Sequence, residues 1–126
     1  MMSLTFTITD QLPSGKNAVK MTRKGHRYPD ERFTRWRTKA MAELREQCDG
    51  FPQPIRHRLA LIVDYTPGDL RVRDVAGMMD AICHLLERSG LIENDGLIRD
   101  CTWHEFEMDR KKPQATITLR RLEAAL

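Results

Sequence analysis

Three aspartates, Asp74, Asp80 and Asp95, stand in and around an amphipathic stretch that follows an apolar, β-rich run. Strand ends of this kind are where α/β folds place their sites. If Asp74 and Asp95 converge, two carboxylates with phosphate oxygens and water suit Mg2+, a hard cation that keeps oxygen ligands, with Mn2+ as a substitute. Such an ion activates water and steadies a leaving oxygen in phosphodiester hydrolysis. Convergence is not set by spacing. A helix over 75–89 is about 22 Å long, and residues 90–95 extend to about 20 Å. Asp95 therefore returns to Asp74 along a nearly straight path, or meets another carboxylate set across a dimer. Both helix aspartates also have plainer roles. Asp74 sits where an N-cap should and can accept from the free amides of the first turn. Asp80 lies about 140° from Val75 on the helical wheel, which is a solvent-facing position. It shares that side with Ala76, four residues earlier.

The second feature is charge distribution. The formal net charge is only +3, but the segment from Gln11 to Lys39 holds nine basic residues against two acidic ones, a local +7. The rest of the chain is net −4. A concentrated cationic surface of this kind suits a polyanion, because each phosphate it neutralises releases condensed counterions. Lys16, Asn17, Lys20, Arg23, Lys24 and Arg27 fall in a stretch without steady periodicity, and Arg71 and Arg73 directly precede Asp74. Arginine suits bidentate phosphate contact. Arg35, Arg37 and Lys39 lie on a helix and could equally form its solvated face.

Cys48, Cys83 and Cys101 are an odd number at irregular spacing, which argues for reduced thiols in a cytoplasm and against a disulfide framework. Cys83, His84, Cys101 and His104 are the right types for zinc. Their placement is poor, since adjacent helical residues diverge by about 100° and positions three apart on a strand face opposite sides. No zinc is expected. The longest apolar runs are far short of the roughly 20 residues of a membrane span, and Met1 to Asp10 lack the pattern of a secretory signal.

The elements that must position these groups read in order. Leu4, Phe6 and Ile8 alternate with threonines, the period of a half-buried strand. Pro13, Ser14, Gly15 and Asn17 break it, and a long basic loop is expected as far as Pro29. A helix starts at the Asp30 cap, with Phe33, Trp36, Ala40 and Leu44 on one face. Residues 58–66 form a central strand, stopped by Pro67 and Gly68. Val75, Met78, Met79, Ile82, Leu85 and Leu86 define a second helical stripe that Gly90 ends. Residues 97–106 and 115–119 are two more strands, joined by a hairpin loop at Arg110 to Pro113. There is no internal repeat. One domain over 1–126, of α/β (α+β) class with a mixed β-sheet and two main helices, follows from this order and length.

Asp74 to Asp80, Gly90 and Asn94-Asp95 resemble, in frame and without gaps, the signature of RusA-type Holliday junction resolvases. That signature is Asp-x-Asp-Asn-x-x-Lys, a Gly ten residues on, then Asp-Asp. Pro13, Ser14 and Asn17 are similar to the family's Pro-Ser-x-Asn loop, and the element order matches. The resemblance implies a RusA-like fold, an intertwined homodimer, a branched DNA substrate cut by paired nicks, and divalent metal held by Asp74 and Asp95. Three of the signature's five charged positions depart. Ala76 stands where the second catalytic aspartate belongs, Asp80 replaces a lysine, and Asn94 replaces the penultimate aspartate. Two functions follow: a Mg2+-dependent endonuclease in which Asp80 stands in for the missing carboxylate at 76, or a junction-binding protein that has lost catalysis through a natural or introduced Asp-to-Ala change.

Overall fold

A computed structural model describes residues 3–14, 19–21, 23–25, 27–48 and 53–123, with backbone alone at 19–21 and 27–29. Strand β1 (Ser3–Thr9) leads into a two-stranded antiparallel ladder of β2 (Val19–Met21) and β3 (Arg27–Pro29). Helix α1 (Glu31–Gln47) follows, then β4 (Leu59–Thr66), α2 (Val75–Arg88), a 3-10 turn at Asp95–Leu97, β5 (Ile98–Glu105) and β6 (Gln114–Arg121). The expected α+β architecture is present, a mixed four-stranded sheet in the order β1-β6-β4-β5 with two helices. Two expectations are corrected. The stretch read as one long loop up to Pro29 contains the β2–β3 ladder. The β5–β6 connection is not a hairpin, because β4 lies between those strands, parallel to β5 and antiparallel to β6.

Burial explains that order. In β4, Leu59, Leu61, Val63 and Tyr65 are buried on the helix side and Ala60 on the other, so this strand takes the centre with a neighbour on each edge. β5 carries mostly exposed or half-buried side chains and can stand at the edge. β6 alternates cleanly, with Ala115, Ile117 and Leu119 inward. These residues meet Phe6 and Ile8 of β1, Phe33, Trp36, Ala40 and Leu44 of α1, and Met78, Ala81, Ile82, Leu85 and Leu86 of α2 in one core. The opposite sheet face is polar, with hydroxyl pairs Thr5–Thr118 and Thr7–Thr116 both at 3.1 Å. Helix α1 also covers the β1 edge. The Thr7 amide donates to Gln47 Oε1 at 2.8 Å and the Thr9 amide to Glu43 Oε1 at 3.1 Å, which satisfies groups that would otherwise invite another strand. Among the described residues no helix is long and apolar enough to cross a membrane.

The connection that crosses the end of β4 builds the upper edge of the sheet. The Phe106 amide donates to the Tyr65 carbonyl at 2.8 Å and the Asp109 amide to the Pro67 carbonyl at 2.9 Å. Gln11, just beyond β1, accepts from the Gly68 amide at 2.6 Å and donates to the Tyr65 hydroxyl. The exits of β1, β4 and β5 are thus tied together beside the start of α2.

Candidate nucleic-acid interface and carboxylate site

Asp74 caps α2. Its backbone is extended (φ −71°, ψ 120°), and its Oδ1 accepts from the Ala76 amide at 3.1 Å. One orphan donor of the first turn is satisfied in this way. Asp74, Val75 and Ala76 are all exposed, and the Ala76 methyl group offers no donor atom. Asp80 is half-buried, one turn along from Ala76. Gly77 has a reason to be glycine. A Cβ built there would lie 1.9 Å from the Ser14 carbonyl oxygen and 3.0 Å from its carbon. The Pro13–Ser14 turn therefore lands directly on the first turn of α2, beside the Asp74 cap.

Asp95 stands elsewhere. Its amide donates to Glu87 Oε1 at 3.0 Å, so it is anchored one residue before the end of α2. About 20 Å of helix separates Asp74 from Glu87 at 1.5 Å per residue. Strand register agrees, because β5 begins with Ile98 opposite Leu59, the first residue of β4, whereas Asp74 follows the last one. Asn94 is used locally, its Oδ1 accepting from the Gly96 amide at 2.6 Å. Gly90 holds φ +85° just past the helix, the left-handed geometry of a C-terminal stop. Among the described residues no group of three or more His, Cys, Asp or Glu side chains could hold a metal ion.

The cationic residues divide. Lys16 and Asn17 lie outside the described residues. Lys20 is on β2 opposite Tyr28, and Arg27 opens β3 opposite Met21. Arg23 and Lys24 are exposed in the turn between those strands. Arg71 is exposed, but Arg73 is committed, since its guanidinium forks onto Asp69 at 2.7 and 3.1 Å with only 14% of its side chain exposed. That hydrogen bond from Arg73 holds the Asp69 carboxyl below its ordinary range and raises the guanidinium in turn.

A cleft of about 430 Å3 on the other side of Asp69 was not evident from sequence. Arg32, Arg35, Lys39 and Arg110 line it, with Trp36 and Asp10. Lys39 Nζ meets Asp10 Oδ2 at 2.6 Å, which raises the lysine pKa. Asp10 holds φ +80°, an unusual value for a residue with a side chain. The spacing of Arg32, Arg35 and Lys39 at intervals of three and four residues was a legible signal for one helix face. The addition of Arg110 from the crossing connection was not.

The two histidines of the zinc-type set have other partners. His104 Nδ1 meets Asp64 Oδ1 at 2.9 Å, and His84 packs on Phe33 with its Nε2 3.3 Å from Arg37 Nη1. The Cys48 and Cys101 thiols are pushed up by burial, which disfavours the thiolate.

No family model matches the chain. The chain is similar to the crossover junction endodeoxyribonuclease RusA of Aquifex aeolicus (strain VF5), with 30% identity over 89 residues, 70% of this chain and 69% of that protein.

Proposed function

This chain belongs to the RusA family of crossover junction endodeoxyribonucleases, and on that footing we propose that it binds four-way DNA junctions as a homodimer, with hydrolysis held back at Ala76. One observation carries the reading. The Ser14 carbonyl rests on Gly77, so the start of the +7 segment and the Asp74 end of α2 form one surface. Lys16, Asn17, Lys20, Arg23, Lys24, Arg27 and Arg71 supply phosphate contacts to it, joined by the cleft cations, while Arg73 shapes the loop through Asp69. Contacts of this class read backbone and shape and carry little base information.

Mg2+ is the ion that the family resemblance implies, and Asp74 and Asp95 are the residues assigned to hold it. Bound, it would activate water and steady the leaving oxygen. The donors within one protomer fit it poorly. Asp74 Oδ1 is taken by the Ala76 amide, Ala76 has no donor, and Asp95 is anchored at the far end of α2. A two-fold dimer relieves the last difficulty by bringing the Asp95 end of one copy to the Asp74 end of the other, and it matches the two-fold character of a four-way junction. A DNA ligand together with three cysteines outside any disulfide suits a reducing cytoplasm.

A second reading keeps the chain active. Asp80 lies four residues beyond Ala76 on the same side of α2, and its carboxylate takes the place of the missing one. The experiment compares the unaltered chain with its Ala76→Asp variant on a labelled four-way junction, with and without Mg2+. Both should bind, and only the variant should cut. Cutting by the unaltered chain that Asp80→Asn abolishes would establish the second reading instead. If neither protein cuts, Ala76 is not the gap that limits hydrolysis.

A further inference from the structure

In the loop from Asp69 to Arg73 the carboxylate at one end pairs with the arginine at the other, while Leu70, Arg71 and Val72 face outward. Asp69 Oδ1 accepts from the Arg71 amide at 3.0 Å and pairs with the Arg73 guanidinium, so both ends of the loop are held by one carboxylate. The residues that alternate with these arginines are the most exposed large apolar side chains among the described residues, Leu70 at 80% and Val72 at 96%. Behind them runs a groove of about 430 Å3 lined by Tyr65, Met78, Phe106 and Met108, with Glu105 and Glu107.

Exposed aliphatic side chains on a braced loop, interleaved with arginine, suit one task in nucleic-acid binding. The apolar tip enters between base pairs and unstacks them while cations hold the flanking phosphates. We propose that Leu70 and Val72 form a wedge that enters the branch point of the bound junction, and that the groove behind them receives the base displaced there. This deepens the junction-binding reading and rests on it.

Charge favours DNA over a second copy of this chain as the occupant. Arg71 stands between the two tips, and Arg32, Arg35, Lys39 and Arg110 line the cleft across Asp69. Two copies meeting on this ridge would oppose like charges, which phosphates would neutralise. Chemistry reverses inside the groove. Glu105 and Glu107 repel a phosphate, but carboxylates accept hydrogen bonds from the exocyclic amino group of cytosine or adenine. A base fits there better than backbone. Unstacking is hardest in continuous duplex and easiest where pairing is already interrupted, so the wedge selects the branch point without reading sequence.

The test uses the full chain without divalent metal, a four-way junction carrying 2-aminopurine at the branch point, and a duplex of equal length. The unsubstituted protein should raise the 2-aminopurine fluorescence on binding. The double variant Leu70→Ser, Val72→Ser should lose that rise, and its junction-to-duplex affinity ratio should fall about tenfold, which is 1.4 kcal/mol. The apolar exchange Leu70→Met, Val72→Ile should retain both. If the serine variant keeps the fluorescence rise and the ratio, the wedge is refuted. If it instead loses a dimer seen in sedimentation while the rise persists, the ridge is an interface between copies. If the unsubstituted chain binds no junction at all, the functional reading falls and the wedge with it, a result distinct from a wedge-negative variant of a junction-binding protein.

Discussion

Replacing Gly77 by alanine should destabilise this protein, although the same change in an open helix would stabilise it. Alanine is favoured over glycine by about 1 kcal/mol in a helix interior. At position 77 the new methyl group would lie 1.9 Å from the Ser14 carbonyl oxygen, where real Cβ contacts essentially never fall under 3.0 Å. At least 1.1 Å of movement, from 1.9 to 3.0 Å, must come from backbone on one side or the other. Overpacking of that kind costs about 1–3 kcal/mol. A shift of the first turn of α2 also strains the Asp74 cap, which is typically worth about 1 kcal/mol. The net expectation is a loss of about 1–2 kcal/mol, read as a lower urea midpoint at unchanged slope. Junction affinity should fall too, because the Ser14 turn carries the start of the basic segment. A midpoint equal to or above that of the unsubstituted chain would show that the Ser14 turn does not rest on α2, and would detach the basic segment from the Asp74 surface.

Three further outcomes are expected. Asp74→Ala removes the acceptor of the Ala76 amide and should cost about 1 kcal/mol, whereas Asp74→Asn keeps an equally good cap and should leave the urea midpoint nearly unchanged; equal losses in both variants would show that charge, and not the hydrogen bond, matters there. The Asp69 carboxyl is held low by Arg73, so the ion pair is intact above the ordinary aspartate range and breaks as pH falls through the lowered folded value. Hydrogen exchange at the Arg71 amide, which Asp69 also accepts, should quicken in that acid window beyond its intrinsic pH dependence, and Asp69→Asn should abolish the extra change. Neutralising Arg35 and Arg110 together should reduce the slope of log affinity against log salt by up to about 1.8, from roughly 0.9 for each phosphate no longer neutralised; an unchanged slope would remove the cleft from the DNA path.

Much of the fold was legible because its signals are local. Phe33, Trp36, Ala40 and Leu44 recur at helical spacing, Asp30 and Asp74 stand at the two N-caps, and β1 and β6 alternate, so helices, caps and strands follow from neighbours within a turn or two of the chain. The spacing from Asp74 to Asp95 that resembles the family signature, with an alanine at position 76, is likewise a feature of the chain alone. The small β2–β3 ladder was missed because three-residue strands leave almost no periodic signal.

The amino-acid sequence by itself determined which residues are helical, which strand is most apolar, and which carboxylates and cations could do chemistry. Only the tertiary structure decided that β6 inserts between β1 and β4, that the Ser14 carbonyl seats on Gly77, that Arg73 is consumed by Asp69 while Leu70 and Val72 face outward, and that Arg110 completes a cleft begun on α1. It also decided that Asp74 and Asp95 lie toward opposite ends of α2. The physical reason is common to all of these. Each depends on pairing between segments far apart in the chain, chosen by which apolar faces can be buried together, and no residue carries that information in its own neighbourhood.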